Sequence, residues 1–329
     1  MKSIYILLLL ITFVIPLSAQ EKIDTTKTSY LDEVVISANK IAEPRKYVAQ
    51  QVQIINQSII RNLNAQTSAD LIQNTGQVAM QRSQQGGGSP IIRGFEASRV
   101  LLMIDGVRMN NAIYRGGHLQ NIITMDNNVL DRAEILFGPS STVYGSDALG
   151  GVVHFFTRNP ELANDKKVNV SGNTFVRFGS ANNEKTGHID FNIGGKRFAS
   201  FSSFTISDFG DLRMGKKINK ALGEEYWVRN VYAQRAADNS GDVLITNDDP
   251  YTQKFSGYKQ YDFLQKFLFK QSDRVQHLVN FQYSTSSNVP RYDRLTDAQG
   301  TGLRSAEWYY GPQDRLLISY QFKLNDLGK

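Results

Sequence analysis

One stretch of this 329-residue sequence gathers side chains suited to a metal complex: Tyr114-Arg115-Gly116-Gly117-His118. Imidazole and phenolate are ligands for haem iron, and a guanidinium pairs with the carboxylates of such a group. The same residues equally suit a plain Gly-rich loop. The chain has no cysteine, which excludes disulfide scaffolds, thiolate metal sites, iron–sulfur clusters and thiol catalysis. Three further histidines complete the set. His154 falls in a strand-like run and reads as a packed residue, while His188 and His277 fall in later β-prone segments facing an interior or an interface. No catalytic constellation is present: there is no His-Glu-x-x-His, no Walker loop and no Gly-x-Ser-x-Gly. Gly86 to Gly88 lacks the Gly-x-Gly-x-x-Gly spacing and reads as a flexible loop. The expectation is a protein that is not an enzyme and carries no cofactor or metal of its own.

The elements that position these residues come in four blocks. Residues 1–19 have Lys2, an apolar run and a small residue at Ala19, the pattern of a secretory signal peptide. Residues 20–46 are polar and read as an extended linker. Within it Asp32-Glu33-Val34-Val35-Ile36-Ser37-Ala38 is a short β-prone run, fit either to begin the next domain or to add a strand to another protein's sheet edge. Residues 47–160 alternate short helices and strands: Ser58 is a candidate helix cap, Val100 to Ile104 a buried strand, and Asp105-Gly106 a hairpin turn. From about residue 161 the pattern changes to segments of about ten residues with partly alternating polarity. They fall near 168–178, 186–194, 197–207, 257–270, 275–284 and 314–323. Turns 194–196 and 272–274 are short, whereas 208–256 and 285–310 are long, so the long loops should share one end and the turns the other. The net charge of +6 is spread along the chain, which gives no nucleic-acid footprint.

Four motifs in order and spacing carry a resemblance. They are Ile92-Arg93-Gly94-Phe95, Val100 to Arg108 with Asp105-Gly106, Glu134-Ile135-Leu136-Phe137-Gly138-Pro139, and Tyr144-Gly145 through Gly150-Gly151-Val152-Val153. Together they resemble the plug domain of the TonB-dependent outer-membrane receptors. The resemblance implies an α/β plug domain followed by an antiparallel transmembrane β-barrel, here only partial, with about six strands. It implies export to the outer membrane of a diderm bacterium and energised uptake of an iron complex. Asp32 to Ala38 then resembles the TonB box, expected to be mobile and free of the plug so that it can pair with the TonB protein in the periplasm. Arg93, Arg108, Asp105 and Glu134 are expected to make charged contacts within the plug and against a polar barrel interior, and the glycines to permit its turns. The loop at 114–121, with 209–215 and 290–293, is similar to the haem and haemoglobin branch. That branch implies haem as the transported substrate, His118 as axial ligand with Tyr114 and Arg115 beside it, and haemoglobin or a surface lipoprotein as an outer partner next to the membrane lipid. Siderophore and cobalamin receptors of the same family are the alternative, as are a periplasmic binding module and a non-functional truncated fragment. A barrel of about 22 strands at about nine residues each needs more chain than follows Pro160, so the sequence reads as a fragment of a longer receptor.

Overall fold

The computed structural model describes residues 34–109, 121–164, 167–216, 221, 228–238 and 240–325. Tyr114, Arg115, His118, Asp32, Glu33 and the signal segment lie outside the described residues.

The α/β domain is built on a five-stranded sheet. In chain order its strands are β3 (Val52–Asn56), β6 (Val100–Ile104), β7 (Val107–Arg108), β8 (Leu130–Phe137) and β9 (Gly151–Thr157). Their spatial order is β3-β8-β9-β6-β7, with β6 and β9 parallel and the other pairs antiparallel. Val100 to Ile104 is apolar at every position because both faces of the sheet are covered. Leu102 and Ile104 face α1 (Gln57–Leu63) and α2 (Ser68–Gln73), packing with Ile60, Leu71 and Ile72. Leu101 and Met103 face the other way, into a cluster that includes Val35 and Ala38. The cap of α1 is Asn56, whose side chain accepts from the Ile59 amide at 3.0 Å, and not Ser58. Thr67 caps α2. Asp105 and Gly106 both have positive φ, 47° and 86°, as a two-residue hairpin turn between β6 and β7 requires.

Two short pairings lie outside this sheet. One joins β1 (Val34–Val35) to β2 (Glu43–Pro44), and the other joins β4 (Ala79–Gln81) to β5 (Ser89–Ile91).

The second part is a six-stranded antiparallel sheet in simple chain order. Its strands are β10 (Asn169–Gly179), β11 (Glu184–Gly194), β12 (Phe198–Phe209), β13 (Tyr258–Lys270), β14 (Val275–Ser286) and β15 (Arg315–Leu324). The alternation is the reverse of that in a soluble protein. On β11, Glu184, Thr186, His188, Asp190 and Asn192 are buried against the α/β domain, while Ile189, Phe191 and Ile193 are exposed. Successive strands keep this phase: Phe204, Phe263, Val279 and Ile318 face out, whereas Ser203, Lys266, Asn280 and Gln282 face in. A sheet with a polar inner and an apolar outer face is suited to lipid. Ser200, Ser202 and Gln265 interrupt the outer face and blur the period of β12 and β13. They satisfy one another: Ser202 donates to Gln265 at 2.6 Å, and Gln265 donates to Ser200 at 2.9 Å.

The connections 195–197 and 271–274 lie at one end and the long segments 210–257 and 287–314 at the other. The connection 180–183 is also short yet lies at the loop end, so turn length alone does not assign the end. The expectation of a flexible loop at Gly86 to Gly88 is corrected. Residues 84–90 are buried, and a Cβ at Gly86 would overlap the Tyr258 hydroxyl, so the glycine serves close packing of this loop against the wall.

Candidate functional site

The segment expected to hang free is seated on the α/β domain. Among the described residues of the run, Val35 and Ser37 are fully buried, and Val35 pairs with Glu43. The polar 20–46 linker is therefore folded from Val34 onward. The reason is a small receptor for its backbone. The Glu134 carboxylate, itself fully buried, accepts from the Ile36 amide at 3.0 Å and the Ser37 amide at 2.8 Å. The Tyr144 hydroxyl donates to the Ser37 carbonyl at 2.6 Å. His154 meets the Ser37 hydroxyl through Nδ1 at 3.2 Å and accepts the Gly106 amide through Nε2 at 2.9 Å. Arg132 steadies Glu134 at 2.8 Å and lies over Phe156, which stacks on His154. Hydrogen bonds to a buried carboxylate are among the stronger ones, because the charge has no solvent alternative.

Electrostatics keep this site uncharged at its tips. Burial pushes the His154 imidazole down to about 4, against the opposing pull of Glu134 and Asp105. Burial, reinforced by the Glu134 charge, pushes the Tyr144 phenol up to about 12. Both therefore act as neutral hydrogen-bonding groups near pH 7.

A second centre joins the α/β domain to the wall. Asp105 is surrounded by donors: Thr157 amide at 2.9 Å, Thr157 hydroxyl at 2.6 Å, Asn280 at 2.9 Å, Gln282 at 2.8 Å and the Lys266 ammonium at 3.2 Å. Burial alone would raise its carboxyl, but Lys266 and the Thr157 bonds hold it below the ordinary carboxylate value. Lys266 also donates to the Thr157 carbonyl and to Asn159. Elsewhere along the seam Thr205 donates to Asp126 at 2.6 Å, and His188 bridges Thr205 and Asp190. Arg158 pairs with Asp190 at 2.9 Å, and Arg315 reaches Thr124.

The motif residues divide in the structure. Asp105 and Gly106 join the wall contact and the seated segment; Glu134 and Tyr144 hold the segment. Arg93 and Arg108, expected to reach the barrel interior as well, bond inside the α/β domain. Arg93 bonds Gln51 and lies over Phe137, and Arg108 bonds Asp147 at 2.6 Å. Gly138, Pro139, Gly145, Gly150 and Gly151 shape the turns around α3 (Ser141–Tyr144), where Ser140 donates its amide to Ala148 and Gly138 to Gly150. His188 faces inward as read, whereas His277 lies on the outer face beside Phe269 and Tyr320 near the short turns. His154 packs as its strand position implies, but its bonds to Ser37 and Gly106 have no signal in the sequence. Lys266 has one, its phase, since it shares the inward register of Asp262 and Gln260.

Comparison with known proteins agrees with this geometry. Residues 44–152 match the TonB-dependent Receptor Plug Domain. Over 294 residues the chain is 27% identical to the vitamin B12 transporter BtuB of Vibrio vulnificus, which covers 84% of this chain and 44% of that protein. The chain thus spans under half the length of this relative. Among solved structures, the ferripyoverdine receptor of the outer membrane of Pseudomonas aeruginosa superposes with a TM-score of 0.59 at 13% identity, covering 89% of this chain and 34% of the receptor. The hemophore receptor HasR of Serratia marcescens superposes with a TM-score of 0.53 at 18% identity, covering 72% of this chain and 32% of that one. The fold is a plug domain followed by six antiparallel strands of an outer-membrane β-barrel type, which do not close on themselves among the described residues, and its location is the outer membrane.

Proposed function

We propose that this chain is the plug and first wall sector of an energised uptake receptor, drawing on a TonB protein through residues 32–38. The observation that carries this reading is the seated segment 34–38. It lies at the short-turn end, opposite the long loops, and is held mainly through its backbone. Strand addition to a partner needs those same backbone groups. The Ile36 and Ser37 amides cannot serve Glu134 and a partner's ladder together, so seating and partner pairing exclude each other. The segment is then a latch that must leave Glu134 and Tyr144 before force is applied. The polar seam suits such a device, because its contacts re-form with water when the plug shifts.

The substrate class is a bulky metal chelate. The relatives' names point to cobalamin or a ferric siderophore. A haem reading, with haemoglobin or a surface lipoprotein as the outer partner, rests on His118, with Tyr114 as second candidate ligand and Arg115 as propionate partner. Two measurements test the proposal. Membrane fractionation of the parent-length protein should recover it with the outer membrane, and recovery from the soluble periplasm would overturn the receptor reading. Titration of the receptor with haem and, separately, with cyanocobalamin identifies the substrate. A Soret shift lost in His118→Ala supports haem; saturable cobalamin binding with no Soret shift removes it.

A further inference from the structure

Three hydrogen bonds run in line through the seam, and their protons can be counted. Thr205 Oγ1 donates to Asp126 Oδ2 at 2.6 Å, His188 Nδ1 meets the same hydroxyl at 2.7 Å, and His188 Nε2 meets Asp190 Oδ2 at 3.0 Å. Each bond needs one proton. A neutral imidazole brings one and the threonine hydroxyl brings one, while two carboxylates bring none. The chain is therefore one proton short unless it binds another. Turning the ring over would face carbons to both partners, so two contacts fix where its nitrogens lie. All four residues are buried, and an unfilled bond there is not made good by bulk solvent.

The charges around the chain suit an added proton on the ring. Asp190 of β11 is matched by Arg158, which follows β9, at 2.9 Å. Asp126 of the plug accepts the Asn128 amide at 2.9 Å and the Asn128 side chain at 2.7 Å on Oδ1, as an ionised carboxylate does. Beyond it, Asp262 of β13 and Arg315 of β15 line one small cavity with Asp126 and are opposite in charge. Along β11, Glu184 is matched by Arg177 at 2.7 Å. On the β10 side the Phe175 ring stacks on His188 and brings no charge. A second proton on His188 satisfies all three bonds and sets a cation between two carboxylates, and an imidazole is more basic than a carboxylate in water.

We infer that His188 is a proton-binding site that pins the plug to the wall: doubly protonated, it completes the chain from Asp190 through Thr205 to Asp126. The inference goes beyond the uptake reading and holds whatever the receptor carries. When the added proton leaves, either the Thr205 hydroxyl must choose between Nδ1 and Asp126, or Nε2 turns a lone pair on Asp190. One link of the chain fails in both cases. Where an imidazole in water is neutral, the docked seam thus holds one proton more than the parted one. Docking then weakens as pH rises, by at most about tenfold per unit. His154 stays neutral over that range.

The test is the nitrogen NMR spectrum of the parent-length receptor in phospholipid nanodiscs, its histidines isotope-labelled, at about pH 8, where solvent imidazole is neutral. His188→Gln identifies the resonances. Both nitrogens of His188 should carry protons. Thr205→Val removes the middle link and keeps its shape, so the second proton should be lost; Thr205→Ser should retain it. The same proteins are then compared in urea between about pH 6.5 and about pH 9, with a nitroxide at the exposed Ser58→Cys of α1 reporting release of the plug. Release should grow with pH in the wild type and in Thr205→Ser, and markedly less in Thr205→Val. A singly protonated His188, or the same pH dependence with and without the Thr205 hydroxyl, would overturn the inference. The wild-type spectrum decides by itself if Thr205→Val does not assemble. Transport assays bear on the uptake reading alone.

Discussion

The amide of Gly106 donates to Nε2 of His154 at 2.9 Å. This bond sets the ring's tautomer, because an acceptor Nε2 leaves the proton on Nδ1, facing the Ser37 hydroxyl. Gly106 follows Asp105 directly, so the wall contact and the seated segment are two residues of chain and one imidazole apart.

The seat should come apart when its donors and acceptors are removed one at a time. A nitroxide attached at Val34→Cys reports it, since Val34 is half-exposed at the rim. Glu134→Gln and Tyr144→Phe should each lower the seated fraction relative to the free one by about tenfold, the worth of about 1.4 kcal/mol for a buried hydrogen bond to the segment. An immobile spectrum in both variants would remove these residues from the seat.

Acid should free the segment. His154 titrates at about 4 when seated, against an ordinary value of 6.5. Once the segment leaves, the ring regains solvent and its affinity for protons rises. Between these values the free state binds more protons than the seated one, so seating weakens as pH falls from 6.5 to about 4. The weakening is at most about tenfold per pH unit for one proton. Above 6.5 this group contributes no dependence. Glu134, Asp105 and Arg132 act on the ring and belong in the same titration. His154→Gln should flatten the profile of the nitroxide at position 34; an unaltered profile would assign the effect to another group.

Val35→Pro should abolish uptake and leave substrate binding at the cell surface intact. Proline removes the amide that a partner's ladder needs, and the long loops stand at the opposite end. Normal uptake in this variant would refute residues 32–38 as the energising segment.

Lys266→Met should destabilise the plug in its barrel by about 3–5 kcal/mol, because it leaves the buried Asp105 carboxylate without its cation. Asp105→Asn added to Lys266→Met should recover most of that loss, since the uncompensated charge is gone. Resistance of the plug to trypsin and the midpoint of thermal unfolding give both values. Additive losses in the double variant would show that the two residues do not act as a pair.

The division into plug and wall was legible because the period of polarity changes near residue 160 and because glycine-marked motifs recur in order. The six wall strands were legible from their length, although Ser200, Ser202 and Gln265 hid the alternation on the outer face. The seat was not. Val34 to Ala38 looks the same on paper whether it hangs free or lies buried, and Glu134 looks like one more charge in a strand. What decides its role is that β8 carries Glu134 to the segment's amides, a contact spanning 97 residues of sequence to Ser37. Lys266 was hidden for a related reason: it follows Gln265, so two adjacent polar residues fall on opposite faces, and only the facing Asp105 shows which of them turns inward.

Tyr258 begins β13 and stacks on Phe209, the last residue of β12, with 4.8 Å between ring centroids. Beneath this pair lies Gly86, and Gln85 donates to the carbonyls of Gly210 at 2.9 Å and Ser256 at 2.8 Å, the two sides of the loop's neck. A residue of the plug is thus the knot that ties the neck shut. The conformation of the neck is therefore coupled to that of the plug: any movement that carries Gln85 away leaves both carbonyls without this donor.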